Sequence, residues 1–146
     1  FFFLCFYLII NEQKRFFIRK NLYPEVRIDT GISVKSDRKW LKFIVEQLLV
    51  NAIKYTEGEN KKITVSAYEC EKGKILEIKD QGVGIPKKDI RRVFEPFYTG
   101  ENGRKFGEST GMGLYLVNEA CKKLGHITEI ESEPGKGTAV IIICNS

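Results

Sequence analysis

The fold turns on Glu46-Gln47-Leu48-Leu49-Val50-Asn51-Ala52-Ile53-Lys54-Tyr55, the second half of a run with helical periodicity. Trp40, Ile44, Leu48 and Ala52 recur at helical spacing, with Leu41 and Leu49 beside them, which predicts one apolar stripe on a helix capped at Ser36 or Asp37. Gln47, Asn51 and Lys54 share a different face of that helix. Carboxamide oxygens are neutral, hard donors that suit Mg2+ beside phosphate oxygens. A lysine one turn further on can meet phosphate as a point charge. Taken alone, the face reads more simply as a solvated polar stripe.

Upstream, Glu25 to Ser36 alternates at Val26, Ile28, Ile32 and Val34 and is expected to be extended. Downstream, Gly58-Glu59-Asn60 breaks the chain. Ile63, Val65 and Ala67 then alternate, Gly73 turns, and Ile75 to Asp80 predicts the return strand of an antiparallel hairpin. Lys87 to Val93 is expected to be a short helix behind Pro86, and Gly113 to Leu124 a longer one. Ile127 to Glu133 and Gly137 to Cys144 read as strands around Pro134-Gly135-Lys136-Gly137. Strand pairs interleaved with helices predict an α/β protein, a two-layer sandwich with a mixed sheet packed against helices.

Three more clusters fall between these elements. In Asp80-Gln81-Gly82-Val83-Gly84-Ile85 an acid ends a strand and two glycines let backbone approach a flat ligand. The carboxylate can accept from an exocyclic amino group, and Ile85 can lie on a ring. A strand-ending turn explains the same residues. Phe94-Glu95-Pro96-Phe97-Tyr98 places two phenylalanines around a proline, as core or as the root of a loop. Glu95 to Met112 holds four glycines and few aliphatics, a length that in a compact domain suggests a lid. Gly107-Glu108-Ser109-Thr110-Gly111-Met112-Gly113-Leu114 leads small residues into a helix N-terminus, whose free N–H groups suit phosphate. Arg104 and Lys105, in this stretch, could swing to such a phosphate. No P-loop or dinucleotide fingerprint is present.

In this order, the clusters resemble the N, first glycine, F and second glycine boxes of sensor histidine kinase catalytic domains, and Gly135-Lys136-Gly137-Thr138 is similar to the third glycine box. The resemblance spans roughly Val26 to Ile143 and implies the Bergerat ATP-binding fold. Tyr98-Thr99-Gly100-Glu101-Asn102-Gly103-Arg104, Ser109 to Leu116 and Leu124-Gly125-His126 look like the bacitracin-sensing type of Gram-positive bacteria. Carried over, it implies Asn51 and Gln47 at Mg2+, Lys54 at phosphate and Tyr55 bordering the nucleotide. Asp80 would read adenine, with Gly82, Gly84 and Ile85 shaping its pocket. Gly111, Gly113 and Leu114 would lie against the triphosphate, Thr138 would assist Asp80 through water, and Lys54 and Arg104 would serve catalysis. ATP and Mg2+ are the implied cofactors.

Gln47 departs from the pattern, since many kinases of the family have Asn there. The hydrolytic relatives place Glu at that position, and Gln cannot act as a general base. Phosphoryl transfer to a histidine is therefore expected over hydrolysis, with a Bergerat-type ATP hydrolase or a non-catalytic nucleotide-binding regulatory module as alternatives. His126, the sole histidine, follows a helix exit and reads as structural. The acceptor is then expected on a separate dimerisation and histidine domain, with a response regulator and an antimicrobial-peptide ABC transporter as further partners.

A net charge of +5 admits a phosphorylated ligand or an anionic surface. No lysine-rich run with interleaved aromatics occurs, so nucleic acid is not expected. Cys5, Cys70, Cys121 and Cys144 form no CxxC pair and read as reduced thiols rather than a zinc site. The opening FFFLCFYLII is shorter than the roughly 20 residues of a membrane span. Without an initiator Met, the chain is expected to be part of a longer protein. Residues 1–24 are read as a helical remnant or link to the histidine domain, and 25–146 as the ATP-binding domain, cytoplasmic in a membrane-anchored protein.

Overall fold

Asp37 starts the central helix by accepting the Trp40 N–H on its side chain at 3.1 Å. This computed structural model describes residues 2–98, 100 and 112–144. Chain order runs α1 (Phe2–Glu12), α2 (Lys14–Lys20), β1 (Leu22–Ile28), α3 (Arg38–Lys54), β2 (Lys61–Cys70), β3 (Gly73–Asp80), α4 (Lys87–Ile90), α5 (Gly113–Leu124), β4 (Ile127–Glu133) and β5 (Gly137–Cys144). The five strands form one sheet in the order β1-β2-β3-β5-β4. The β1–β2 pair is parallel and every other pair is antiparallel, so the sheet is mixed.

Register puts one apolar row across the whole sheet. Val26 pairs with Val65, Val65 with Ile78, Ile78 with Val140, and Val140 with Ile130. Ile63, Val65, Ala67, Leu76, Ile78, Val140, Ile142 and Cys144 face the helical layer and are buried with Leu41, Ile44, Val45, Leu48, Leu49, Ala52 and Ile53 of α3. From α5, Val117, Ala120 and Cys121 complete this layer. Each fully buried aliphatic side chain contributes about 1.5–3 kcal/mol of transfer free energy, so α3, with seven buried residues, is the principal clamp on the sheet.

The N-terminal helices α1 and α2 contribute to this core. Phe6, Ile9, Phe17 and Leu22 join the same buried cluster, and α1 packs on α3. The expected extended run at Glu25 to Ser36 is shifted: β1 begins at Leu22 and ends at Ile28. Beyond it, Gly31 adopts φ +80 and turns the chain. Ile32 and Val34 still pack against the core, so their alternation reports burial without strand pairing. Two aromatics also differ from expectation. Trp40, in the first turn of α3, is 48% exposed, and Phe97 is 75% exposed. Phe97 has φ +64. Phe97 is therefore not part of the core, whereas the neighbouring Tyr98 hydroxyl donates to the buried Asp89 carboxylate.

His126 follows Gly125, which closes α5 in the left-handed conformation at φ 78. Its ring is buried, and its Nε2 shares a hydrogen bond with Ser36 Oγ at 2.9 Å. No helix among the described residues is long and apolar enough to cross a membrane.

Candidate functional site

The alternation Leu76, Ile78, Asp80 carries a carboxylate onto the core-facing side at the last position of β3, opposite Ile63. Asp80 is only 7% exposed. Its Oδ1 accepts the backbone N–H of Gly82 at 2.8 Å and that of Thr138 at 3.1 Å. Burial raises its pKa, and these two donors pull it part of the way back. No described residue donates to Oδ2. Thr138 thus reaches Asp80 directly through its main chain.

Ser132, which the sequence reading did not single out, is the joint beside it. Its hydroxyl accepts the Ile85 N–H at 2.7 Å, lies 2.7 Å from Thr138 Oγ1 and donates to the Gly137 carbonyl at 3.0 Å. Ser132 and Thr138 are direct cross-strand partners. A small polar residue just ahead of the Pro134-Gly135 turn was the available signal.

The glycines of the Asp80 loop are required by the protein's own backbone. A Cβ on Gly82 would sit 2.4 Å from the Tyr55 carbonyl oxygen. On Gly84, at φ +73, it would sit 2.1 Å from the Glu133 carbonyl oxygen. Val83 lies between them, donating its N–H to the Tyr55 carbonyl at 3.1 Å and accepting from the Gly135 N–H at 2.8 Å. The loop is thereby clamped between the end of α3 and the β4–β5 turn. A third close approach, at Gly137, would put a Cβ 2.2 Å from the Asp80 carbonyl oxygen.

Gln47, Asn51, Lys54 and Tyr55 are half-buried along α3 and its C-cap. The Lys54 ammonium lies 5.5 Å from the centre of the Tyr55 ring. Gly113 opens α5 with its Cβ position 3.6 Å from Gln47 Oε1. The amide face of α3 and the N-terminus of α5 therefore meet. Leu114, next along, packs against the core. Asp80, Gly82, Gly84, Ile85, Thr138 and Tyr55 make one connected group, and Gln47 of α3 with Gly113 of α5 another. Arg104, Lys105 and Gly111, with the rest of the expected lid at 99 and 101–111, lie outside the described residues.

Residues 36–145 match the model of the histidine kinase-, DNA gyrase B- and HSP90-like ATPase family. The chain belongs to this family. It is 48% identical over 132 residues to the sensor histidine kinase YxdK of Bacillus subtilis, covering 90% of this chain and 41% of that protein. With the sensor protein BceS of the same organism it shares 36% over 129 residues, covering 88% and 38%. The chain thus spans about two fifths of the length of these relatives. Among solved structures, the mycobacterial sensor histidine kinase MprB superposes at TM-score 0.78 with 28% identity, covering 93% of this chain and 91% of that one. Full-length ShkA in complex with AMPPNP superposes at 0.81 with 18% identity, covering 94% of this chain and 28% of that one, a likeness of fold. The mixed sheet with its helices is the α/β fold of histidine kinase catalytic domains.

Proposed function

We propose that this chain binds Mg-ATP and delivers the γ-phosphoryl group to a histidine on a separate dimerisation domain of a two-component sensor kinase. The observation that carries the reading is the buried Asp80 carboxylate, held through Oδ1 by Gly82 and Thr138 while no described residue donates to Oδ2. A buried acceptor of this kind suits the exocyclic amino group of adenine. The relatives named as sensor histidine kinases, and the AMPPNP bound by ShkA, support the same reading.

In this reading Gly82, Gly84 and Ile85 wall the adenine pocket, Tyr55 borders the nucleotide, and Ser132 holds Ile85 in place. Gln47 and Asn51 present two neutral amide oxygens on one face of α3, and Gln47 lies beside Gly113 at the start of α5. That donor set fits a hard cation shared with phosphate oxygens. Magnesium, when bound, supplies charge neutralisation at the phosphates. Asn51 and Gln47 would hold it, and Gly111, Gly113 and Leu114 would receive the triphosphate at the N-terminal end of α5. Lys54, and Arg104 from outside the described residues, would offset charge developing on the transferred group. The β–γ bridging oxygen leaves with ADP as the acceptor imidazole nitrogen bonds to phosphorus. Gln47 cannot deprotonate water, which supports transfer over hydrolysis.

The wider proposal, which rests on the resemblance to sensor kinases, is a response regulator downstream, an antimicrobial-peptide ABC transporter alongside, and a cytoplasmic placement in a membrane-anchored dimer. Radiolabelled ATP tests the core of it. The chain alone should bind ATP without labelling itself, and should label a separate fragment carrying the acceptor helix. Transfer in trans will be slow, because a covalent tether would supply an effective concentration on the order of millimolar. Rapid phosphate release by the chain alone would indicate a hydrolase. Tight binding with no label in the mixture would indicate a regulatory nucleotide module.

A further inference from the structure

The last carbonyls of α3 have no glycine cap to close them, since Tyr55 at the C-cap is at φ -98 and ψ 11. Each is nevertheless satisfied from elsewhere. The Asn51 carbonyl accepts the Tyr55 N–H at 3.2 Å, and the Ala52 carbonyl accepts the Thr56 hydroxyl at 2.7 Å. The Ile53 and Lys54 carbonyls accept from one ammonium group, Lys20 Nζ, at 2.6 and 3.1 Å. The Tyr55 carbonyl takes the Val83 N–H. Lys20 is the last residue of α2 and comes 33 positions before Ile53 in sequence. A cation at that end of a helix also meets the negative pole of the helix dipole.

We infer that Lys20 is a positioning residue for the nucleotide site, fixing the final turn of α3 and with it Lys54 and Tyr55. This rests on the nucleotide reading given above for those two residues. The geometry is specific: the two carbonyls Lys20 takes belong to consecutive residues, one of them Lys54 itself. Val83 grips the same turn one carbonyl further on, so the turn is held between the N-terminal helical segment and the Asp80 loop. Without the ammonium, the Lys54 carbonyl has no partner among the described residues. The Ile53 carbonyl keeps only the long Thr56 N–H contact at 3.4 Å. The turn then has freedom to fray, and Lys54 departs from its place while Asp80, held separately by Gly82 and Thr138, does not.

Lys20→Met keeps the aliphatic stem and removes the donor, whereas Lys20→Arg restores a cationic donor. With the 146-residue chain, ATP and adenosine affinities are measured for the parent and both variants, with amide hydrogen exchange over residues 54–57. Lys20→Met should weaken ATP by about tenfold, leave adenosine within about twofold, and accelerate exchange only in that turn, a misplacement effect rather than general loosening. Lys20→Arg should recover most of the loss. Unchanged ATP affinity with unchanged exchange would overturn the inference, as would an equal loss for ATP and adenosine. If the parent chain fails to bind ATP, the nucleotide reading falls, and unaltered exchange in Lys20→Met would separately remove the anchoring role.

Discussion

The Thr138 N–H donates to Asp80 Oδ1 at 3.1 Å, joining positions 58 apart in sequence. The start of β5 therefore holds the carboxylate from one side while Gly82 holds it from the other. In Asp80→Asn the amide oxygen can keep both bonds, so the fold should survive. The outward-facing atom becomes a donor and meets the adenine amino group donor to donor. Losing one charge-assisted hydrogen bond costs about 1.5–3 kcal/mol, which is tenfold or more in ATP affinity. Calorimetry with the folded variant checks this, and undiminished affinity would remove Asp80 from adenine recognition.

The same carboxyl should make the wild-type fold less stable than it could be. Burial lifts its folded pKa above the ordinary value of 3.8. The folded state then holds more protons than the unfolded one between the two values, so this group's contribution improves as pH falls through that window. Above that window it is charged and desolvated. Asp80→Asn should accordingly be more stable above that window, with an advantage that shrinks in acid. Thermal melts of both proteins across pH 4–7 (about that range) read the difference.

His126 acts in the opposite direction. Burial lowers its folded pKa below 6.5, so the unfolded chain takes up the proton first as pH falls. Its stabilising contribution is complete above about 6.5 and is lost as pH drops towards the folded value. His126→Gln removes that titration. Denaturant melts should show the wild type losing stability more steeply than the variant on acidification below neutrality. Parallel pH profiles would mean that the imidazole is accommodated equally well when charged.

Substitutions at the glycines separate two causes of the glycine requirement. Gly84→Ala forces a Cβ to 2.1 Å from the Glu133 carbonyl at positive φ and should unfold the loop, at a cost of several kcal/mol, about 3 or more. Gly135→Ala meets nothing within 4 Å and bears only the left-handed backbone penalty, roughly 1–2 kcal/mol. Gly113→Ala meets Gln47 Oε1 at an ordinary 3.6 Å and should leave the melting temperature unchanged or higher. A loss of ATP affinity in that stable variant would support a triphosphate lying against Gly113; full affinity would move the phosphates elsewhere.

Asn51→Ala should leave α3 intact, since alanine favours helix, and should abolish most of the Mg2+ dependence of nucleotide binding. Titrations with and without the ion check it. A variant with the full magnesium effect would place the ligand on another residue.

Much of the architecture was legible because local signals agreed. Asp37 caps α3, the apolar periodicity from Leu41 to Ile53 is helical, and Gly73 and Pro134-Gly135 turn two antiparallel pairs at the expected places. The parallel pairing of β1 with β2 has no local signature, because it depends on α3 crossing between the strands. Burial of Phe6, Ile9 and Phe17 was equally opaque: a short apolar run does not say what covers it. Trp40 shows the limit of periodicity, since it keeps the spacing of Ile44 and Leu48 but sits in the first turn of α3 and remains half in solvent. In the site, the residue types at Asp80 and Asn51 could be read, whereas the Thr138, Ser132 and Lys20 contacts are products of tertiary register.

Gly82, Gly84 and Gly137 come from the Asp80 loop and the start of β5, and at each the chain touches the oxygen of another main-chain carbonyl. The floor beneath Asp80 is consequently made of polypeptide that has no side chain to vary. In a drifting lineage such contacts behave as fixed points: neighbours such as Val83 and Ile85 can exchange one aliphatic group for another, but the pocket's outline stays tied to these positions. A saturation library of this chain should therefore show abrupt intolerance at the three glycines, beside aliphatic exchange that is accepted at Val83 and Ile85.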